Sequence, residues 1–332
     1  MQTLFNLDFT PAFTSKIVVG SLRNFLQDGL PAGRVIAIVD SQVDAITGIS
    51  EVLPESVLVP GGEENKNLQL AEMLWQELVE SKADRNTLLL GIGGGVVTDL
   101  VGFVASTFMR GVRFGLVPTT LLGQVDAAIG GKCAINLGGY KNMVGAFWPA
   151  EFVVCDAQLL ATLPEREFRA GVAEVIKSAI VGDKELFELL EKSDLEALRG
   201  DADLLAEVVR RSVAVKCEIV AADPYEKGLR RVLNLGHTMA HAIESLSADY
   251  THGEAVAVGL VWASRLAAER CVISASEAER IVKVVEQYGL PTSTDLPQEA
   301  LEEAMTHDKK SLAGVVKIVL PERIGNCIVS EL

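Results

Sequence analysis

The residues able to do chemistry are concentrated in a few stretches. The chain has four histidines, and three of them, His237, His241 and His252, lie close together. In Asn234-Leu-Gly-His237-Thr-Met-Ala-His241-Ala-Ile-Glu244 the first two stand four apart, so a helix sets them on one face. His252-Gly253-Glu254 opens a very apolar segment, Glu254 to Arg270, which holds this imidazole at a helix end. A lone histidine there is usually a capping or surface residue, but three together in so histidine-poor a chain point to a metal or catalytic site. The H-E-x-x-H metalloprotease pattern fails because Thr238 follows the first histidine. A further ligand has to come from elsewhere, and Glu174 in Gly171-Val-Ala-Glu174-Val-Ile-Lys177 is the best candidate. One Glu and two His make an open site with a position left for a substrate oxygen. Phe168, Val172, Val175, Ile176 and Ala179 form the buried stripe of that helix. Glu174 and Lys177 fall at its margin, where an exposed ion pair is the plain alternative.

A second group of residues suits anions. Gly91-Ile-Gly93-Gly94-Gly95-Val-Val-Thr-Asp99 follows a strand and opens a helix, so its N–H groups can approach a phosphate; a mere tight turn is the alternative. The spacing misses G-x-G-x-x-G, since Val96 holds the third glycine's place, and the acid-ended strand at Asp40 lies upstream of the glycines. A dinucleotide therefore binds, if at all, on a different plan. The Gly-rich stretch Gln124 to Asn142 carries Asp126, Lys132, Lys141 and Asn142, and reads as an anion-binding segment or a solvated loop. Lys216, Arg230 and Lys309-Lys310 add cations that singly read as surface residues.

The elements that must position these groups change character along the chain. Arg34 to Asp40, Thr87 to Gly91, Val112 to Val117 and Phe152 to Cys155 are strand-length runs. Ala71, Leu74, Trp75 and Leu78 recur at helical spacing between the first two, and Val96 to Thr107 is a further helix. This is a βαβ rhythm, predicting an α/β N-terminal domain, a Rossmann-like variant, over 1–156. Thr162-Leu-Pro-Glu165 reads as an N-cap with a capping-box acid. Beyond it, long helical patterns predict a mostly α-helical C-terminal domain over 157–332, whose one convincing strand is Val315 to Leu320.

Composition narrows the function classes. The chain has 332 residues, 49% hydrophobic, with formal net charge −15. That charge repels phosphate backbones and anionic lipid, and no basic run offsets it, so no nucleic-acid or membrane partner is expected. No uncharged stretch approaches the ~20 apolar residues of a membrane span. The first thirty residues lack a basic start, apolar core and small-residue cleavage site, so no secretory leader is expected. Five scattered cysteines, Cys133, Cys155, Cys217, Cys271 and Cys327, suggest neither a disulfide framework nor a cysteine zinc site, and fit a reducing cytoplasm.

Seven motifs now stand in order: Gly93-Gly-Gly-Val-Val-Thr-Asp99, Pro118-Thr-Thr120, Gly130-Gly-Lys132, Lys141-Asn142, Gly171 to Lys177, Leu233-Asn-Leu-Gly-His237 and His252-Gly-Glu254. In order and spacing the chain resembles 3-dehydroquinate synthase, from about Ser15 to Gly325. The resemblance implies an NAD- and metal-dependent lyase of the shikimate pathway that converts a seven-carbon keto-sugar acid phosphate, DAHP, into 3-dehydroquinate and phosphate. It implies catalytic use of NAD, through oxidation, phosphate elimination, re-reduction and an intramolecular aldol closure.

Carried over residue by residue, the resemblance implies Glu174, His237 and His252 as ligands of one divalent metal, zinc or cobalt. It implies NAD against Gly94, Gly95 and Asp99, with Thr119 and Thr120 near its phosphates and Asp40 near the adenosine ribose. Glu63, Lys66, Lys132, Lys141, Thr162 and Glu167 join the cofactor side, as does Gln42, where a Ser41-Gln42 pair replaces the usual Thr-Asn. Substrate carboxylate and phosphate fall to Lys132, Asn142, Lys177, Lys216, Arg230, Asn234 and Lys310, with Asp126 in the reacting centre and His241 assisting proton transfer. Arg110 resembles the arginine that reaches a neighbouring subunit's site, which implies a homodimer. Other sugar phosphate cyclases act on sedoheptulose 7-phosphate or glucose 6-phosphate, which lack the carboxylate that Arg230, Asn234 and Lys310 together favour. A glycerol dehydrogenase-like oxidoreductase, turning over NAD stoichiometrically, is another class, and a non-enzymatic relative used only for protein interaction is a third, disfavoured because it has no reason to keep Glu174, His237, His252 and the cations together.

Overall fold

The structure, a computed structural model, describes residues 14–53, 55–307 and 317–332. Its strands are β1 (Lys16–Val19), β2 (Val35–Asp40), β3 (Ser56–Val59), β4 (Leu88–Gly93), β5 (Arg113–Pro118), β6 (Lys132–Leu137), β7 (Tyr140–Phe147), β8 (Phe152–Cys155), β9 (Lys317–Arg323) and β10 (Asn326–Glu331). The first helices are α1 (Leu22–Asp28), α2 (Ser41–Thr47), α3 (Leu68–Glu80) and α4 (Gly95–Thr107). The later ones are α5 (Glu165–Gly182), α6 (Lys184–Glu191), α7 (Leu195–Gly200), α8 (Ala202–Ala222), α9 (His237–Leu246), α10 (His252–Glu269), α11 (Ala275–Gln287) and α12 (Gln298–His307).

Six strands form one sheet in the order β1-β8-β5-β4-β2-β3, with every pairing parallel. β2 and β4 are buried along almost their whole length, as continuous apolar runs covered on both faces should be. The chain leaves β2 outward to β3 and then returns past it to β4, so the order reverses between these neighbours. Open parallel sheets bind ligands at the carboxyl ends of such a pair. From residue 165 the described chain is helical up to β9, so both the α/β and the helical expectations hold.

Three details depart from the sequence reading. Thr162 does not cap α5: the helix begins at Glu165 behind Pro164, with no side-chain cap. Much of the Gly-rich stretch is ordered structure instead of a solvated loop, a π-type turn over Gly123–Ala127 followed by the antiparallel β6–β7 hairpin. β10 was not foreseen; it pairs antiparallel with β9 through a turn at Gly325, whose φ of +91° suits glycine. Residues 315 and 316 of the expected strand, and Lys309 and Lys310, lie outside the described residues.

Candidate active site

The glycine turn and Asp40 meet although sequence separates them. β2 and β4 are adjacent, with Val39 opposite Ile92, so Asp40 and Gly93 end side by side. A Cβ on Gly93 would lie 3.1 Å from the Asp40 Cβ. Asp40 caps α2 by accepting the Gln42 N–H at 2.8 Å, while the Gln42 side chain is exposed. α4 starts at Gly95 with no side-chain cap, leaving first-turn N–H groups for an anion. Thr119 donates its N–H to the Gly93 carbonyl at 2.9 Å, and a Cβ on Gly94 would stand 3.1 Å from the Thr120 methyl. Lys66, buried, donates at 2.5 Å to both Asp99 and Asn142. Burial raises the Asp99 carboxyl, against the pull of Lys66. Glu63 accepts from Asn136 of β6 at 2.8 Å, which ties this loop to the hairpin. The structure thus gathers Asp40, Glu63, Lys66, Gly94, Gly95, Asp99, Thr119 and Thr120 on one side of the sheet's carboxyl ends. Thr162 and Glu167 are exposed, and no hydrogen bond ties either to the glycine turn.

Three helices converge on the second cluster. α10 crosses α5 so closely that a Cβ on Gly253 would fall 2.0 Å from the Ala170 carbonyl oxygen, so only glycine fits there. The Gly236 turn precedes α9, and Gly259 of α10 passes against it equally tightly. A complete capping box, Thr251 with Glu254, fixes the first turn of α10, and Arg166 of α5 grips Glu254 at 2.9 Å. Glu174, His237 and His252 are thereby brought together, each offering a ligand atom within 4.8 Å of the others. Glu174 is 0% exposed, and neither carboxylate oxygen makes a hydrogen bond of regular geometry. His252 Nε2 lies 3.3 Å and His237 Nε2 3.8 Å from Glu174 Oε1. His237 Nδ1 is turned to the Leu235 carbonyl at 3.1 Å, which leaves Nε2 facing the site.

The electrostatics of this pocket suit a bound cation. Burial and the nearby Lys177 lower His237 to about 3, so it is a neutral donor. Burial also disfavours charge on His252, yet Glu174 and Glu244 outweigh it and raise this imidazole to about 10. The two carboxylates thus favour a positive charge at His252, which a divalent ion would supply in place of the proton. A buried carboxylate lacking regular hydrogen bonds, beside two imidazoles, is a donor set that fits zinc or cobalt.

Next to it lies a second buried charge cluster. Lys177, one turn from Glu174, is 2.5 Å from Glu174 Oε2 and donates to Asp126 Oδ1 at 2.9 Å; Lys216 of α8 donates to that same oxygen at 2.7 Å. The ion pair foreseen at the margin of α5 is not exposed, because α8 and the Gly123–Ala127 turn pack over that side. Burial opposes the charge of Asp126, but the two lysines hold it well below the usual carboxylate range. Burial likewise opposes charge on Lys177, and Asp126 and Glu174 overcome it. Lys216 goes the other way, lowered by burial despite Asp126.

Outward from these, Lys132 and Asn234 both donate to the Glu226 carboxylate, Asn234 at 2.5 Å. Burial pushes Glu226 up, but the bonds from Lys132 and Asn234 and the field of Arg230 bring it below its ordinary value. Arg230 is 2% exposed, donates to the Pro224 carbonyl at 2.5 Å, and leans on Gly130, where a Cβ would lie 2.4 Å from its Nη2. His241 is exposed, its ring 5.7 Å from His237. Arg110 is exposed and apart from these contacts; it and Met109 both hold positive φ, 69° and 48°. Lys141 reaches Glu244 of α9 at 2.8 Å rather than the glycine turn.

Two residues of the site escaped the sequence reading, Glu226 and Glu244. Glu226 lies in the polar run Asp223-Pro-Tyr-Glu-Lys-Gly228, where an acid beside a lysine looks solvated. Glu244 had one usable signal, since it falls two turns beyond His237 and so on the same helical face.

Comparison with known proteins agrees with this geometry. The family model "3-dehydroquinate synthase N-terminal" matches residues 56–170, and "3-dehydroquinate synthase C-terminal" matches residues 171–311. A 3-dehydroquinate synthase of Dehalococcoides mccartyi is 39% identical, covering 95% of this chain and 92% of its own length. Among solved structures, 2-epi-5-epi-valiolone synthase from Streptomyces hygroscopicus, with NAD+ and Zn2+ bound, matches at TM-score 0.89 and 29% identity, over 100% of this chain and 95% of that one. A 2-deoxy-scyllo-inosose synthase in complex with carbaglucose-6-phosphate, NAD+ and Co2+ matches at TM-score 0.84 and 25% identity, over 96% and 94%. With both family models laid end to end across the sheet and the helical half, the chain belongs to the 3-dehydroquinate synthase family.

Proposed function

We propose that this chain converts DAHP into 3-dehydroquinate and phosphate. The observation that carries the reading is one continuous array around the buried Glu174, Lys177 and Lys216, with His237 and His252 on one side and Asp126 on the other, in a member of this family. Glu174, His237 and His252 would hold the metal, and the crevice beside Asp40, Gly94, Gly95, Asp99, Thr119 and Thr120 would hold NAD. When bound, NAD supplies an acceptor and donor of hydride, and zinc or cobalt polarises substrate oxygens.

The chain's own residues position the substrate and its protons. Asp126 gathers the Lys177 and Lys216 ammonium groups at one oxygen, so two cations face the site without repelling each other apart. Lys132, Asn234 and Arg230 surround an anion already, the Glu226 carboxylate, and the same donors suit substrate phosphate and carboxylate. Glu226 stays ionised there and serves as a proton acceptor, with His241 beside His237 as a second. In this reading residues 1–156 bind NAD, residues 157–332 bind metal and substrate, and the site lies in the cleft between them.

Arg110, which resembles the arginine that reaches a neighbouring subunit's site, is exposed and so free to be presented to a partner, which supports a homodimer. All five cysteines are free, which supports a cytoplasmic protein; no described helix is long and apolar enough to cross a membrane. Substrate choice is tested by offering DAHP, sedoheptulose 7-phosphate and glucose 6-phosphate separately and measuring phosphate release. DAHP turnover alone supports the reading; preference for either carboxylate-free sugar phosphate overturns it in favour of another cyclase.

A further inference from the structure

Glu244 sits on α9 between two groups that belong to different parts of the site. Its Oε2 faces His252 Nδ1 at 3.3 Å, and its Oε1 receives the Lys141 ammonium at 2.8 Å. The carboxylate is 9% exposed, while the lysine reaching it from the β6–β7 hairpin is 49% exposed. The far nitrogen of His252, Nε2, is the one directed at Glu174.

A neutral imidazole offers a lone pair at Nε2 only when Nδ1 carries the hydrogen, and that hydrogen needs an acceptor. His237 finds its acceptor in the main chain, at the Leu235 carbonyl. His252 stands at the first position of α10, and the acceptor at its Nδ1 is the Glu244 carboxylate. The two imidazoles are thus oriented by unlike means, one by backbone and one by a charged side chain that is itself held from the hairpin. Asn142, next to Lys141, accepts from Lys66 at 2.5 Å, so the same hairpin also touches the cofactor side.

We propose that Glu244 is a positioning residue of the metal centre, fixing the ring of His252 with Nε2 toward Glu174, and that Lys141 clamps Glu244 in that pose. The proposal rests on the reading of Glu174, His237 and His252 as metal ligands. It makes metal affinity depend on a carboxylate that touches neither metal nor substrate, and on a lysine of the hairpin beyond it.

The test is chelator competition for Zn2+ and Co2+ on the full-length protein without NAD or substrate, together with the visible absorption spectrum of the cobalt form. Removal of such an outer partner lowers metal affinity about 10- to 100-fold. Glu244→Ala is expected to show that loss with an altered cobalt spectrum. Glu244→Gln, equal in size but uncharged, is expected to bind several-fold more weakly with a smaller spectral change, and Lys141→Met to lose less again. Parent-like affinity and spectrum in either Glu244 variant overturns the proposal. Should Glu244→Ala fail to fold, Glu244→Gln decides alone by the same criterion. His252→Ala separates the two claims: if it binds metal like the parent, the ligand reading itself fails, whereas metal loss there with parent-like Glu244 variants removes only the role of Glu244.

Discussion

Glu174 and Lys177 stand one turn apart on α5, 2.5 Å from each other and both closed off from solvent. The pair is part of the site and also a liability for the fold, because removing one partner leaves the other charge buried. Breaking such a pair costs about 3–5 kcal/mol. Lys177→Met is therefore expected to unfold at much lower urea in the presence of a chelator, and to regain part of that loss with Zn2+, which supplies a cation to Glu174. Urea titrations under both conditions check this, and equal midpoints for variant and parent in chelator would contradict it.

His252 is 34% exposed and lies at a helix start, so its side chain contributes little to the core. His252→Ala is expected to keep the parent's circular dichroism while losing most bound metal and nearly all activity. Metal analysis after gel filtration reads this directly, and full metal content in the variant would remove the ligand assignment.

Lys132 is 50% exposed and bound to Glu226, so its removal should spare the fold. A hydrogen bond to a charged group is worth about 1.5–3 kcal/mol, which corresponds to about a ten- to hundredfold loss in kcat/KM for Lys132→Ala. Steady-state kinetics showing that loss, with parent-like circular dichroism and only a small drop in melting temperature, is the expected set of results.

The depressed Glu226 carboxyl gives a signed pH effect. Because its value is lower when folded than its ordinary 4.5, the unfolded chain takes up the proton first as pH falls. The stabilisation is complete above that ordinary value and fades below it as pH drops through the folded one. Glu226→Gln lacks this contribution, so its stability is expected to fall less steeply than the parent's between about pH 5 and pH 3. Melting temperatures across that range check it, and parallel curves would contradict it.

The sequence made some of this site legible and hid the rest for identifiable reasons. The His237–His241 spacing, the run ending in Asp40 and the glycine turn were all readable, because each is local. That Asp40 meets Gly93 was not, since it depends on β2 and β4 being neighbours in a sheet whose order departs from chain order. Helical periodicity put Glu174 and Lys177 at a margin, and it carries no information about α8 and the π-type turn that cover that margin. Glu226 becomes part of the site through contacts distant or hidden in the chain, its carboxylate meeting Lys132 and Asn234 from a turn in which its own φ is positive, 56°. The β6–β7 hairpin was masked by glycines that read as loop, although Gly138 and Gly139 serve only its two-residue turn.

The most direct measurement is phosphate released from DAHP by the purified protein with NAD far below substrate, before and after EDTA and on return of Zn2+. The expected result is many phosphates per NAD, abolished by the chelator and restored by the metal. No phosphate release, with one NADH formed for each polyol oxidised, would contradict the account and make the chain a dehydrogenase.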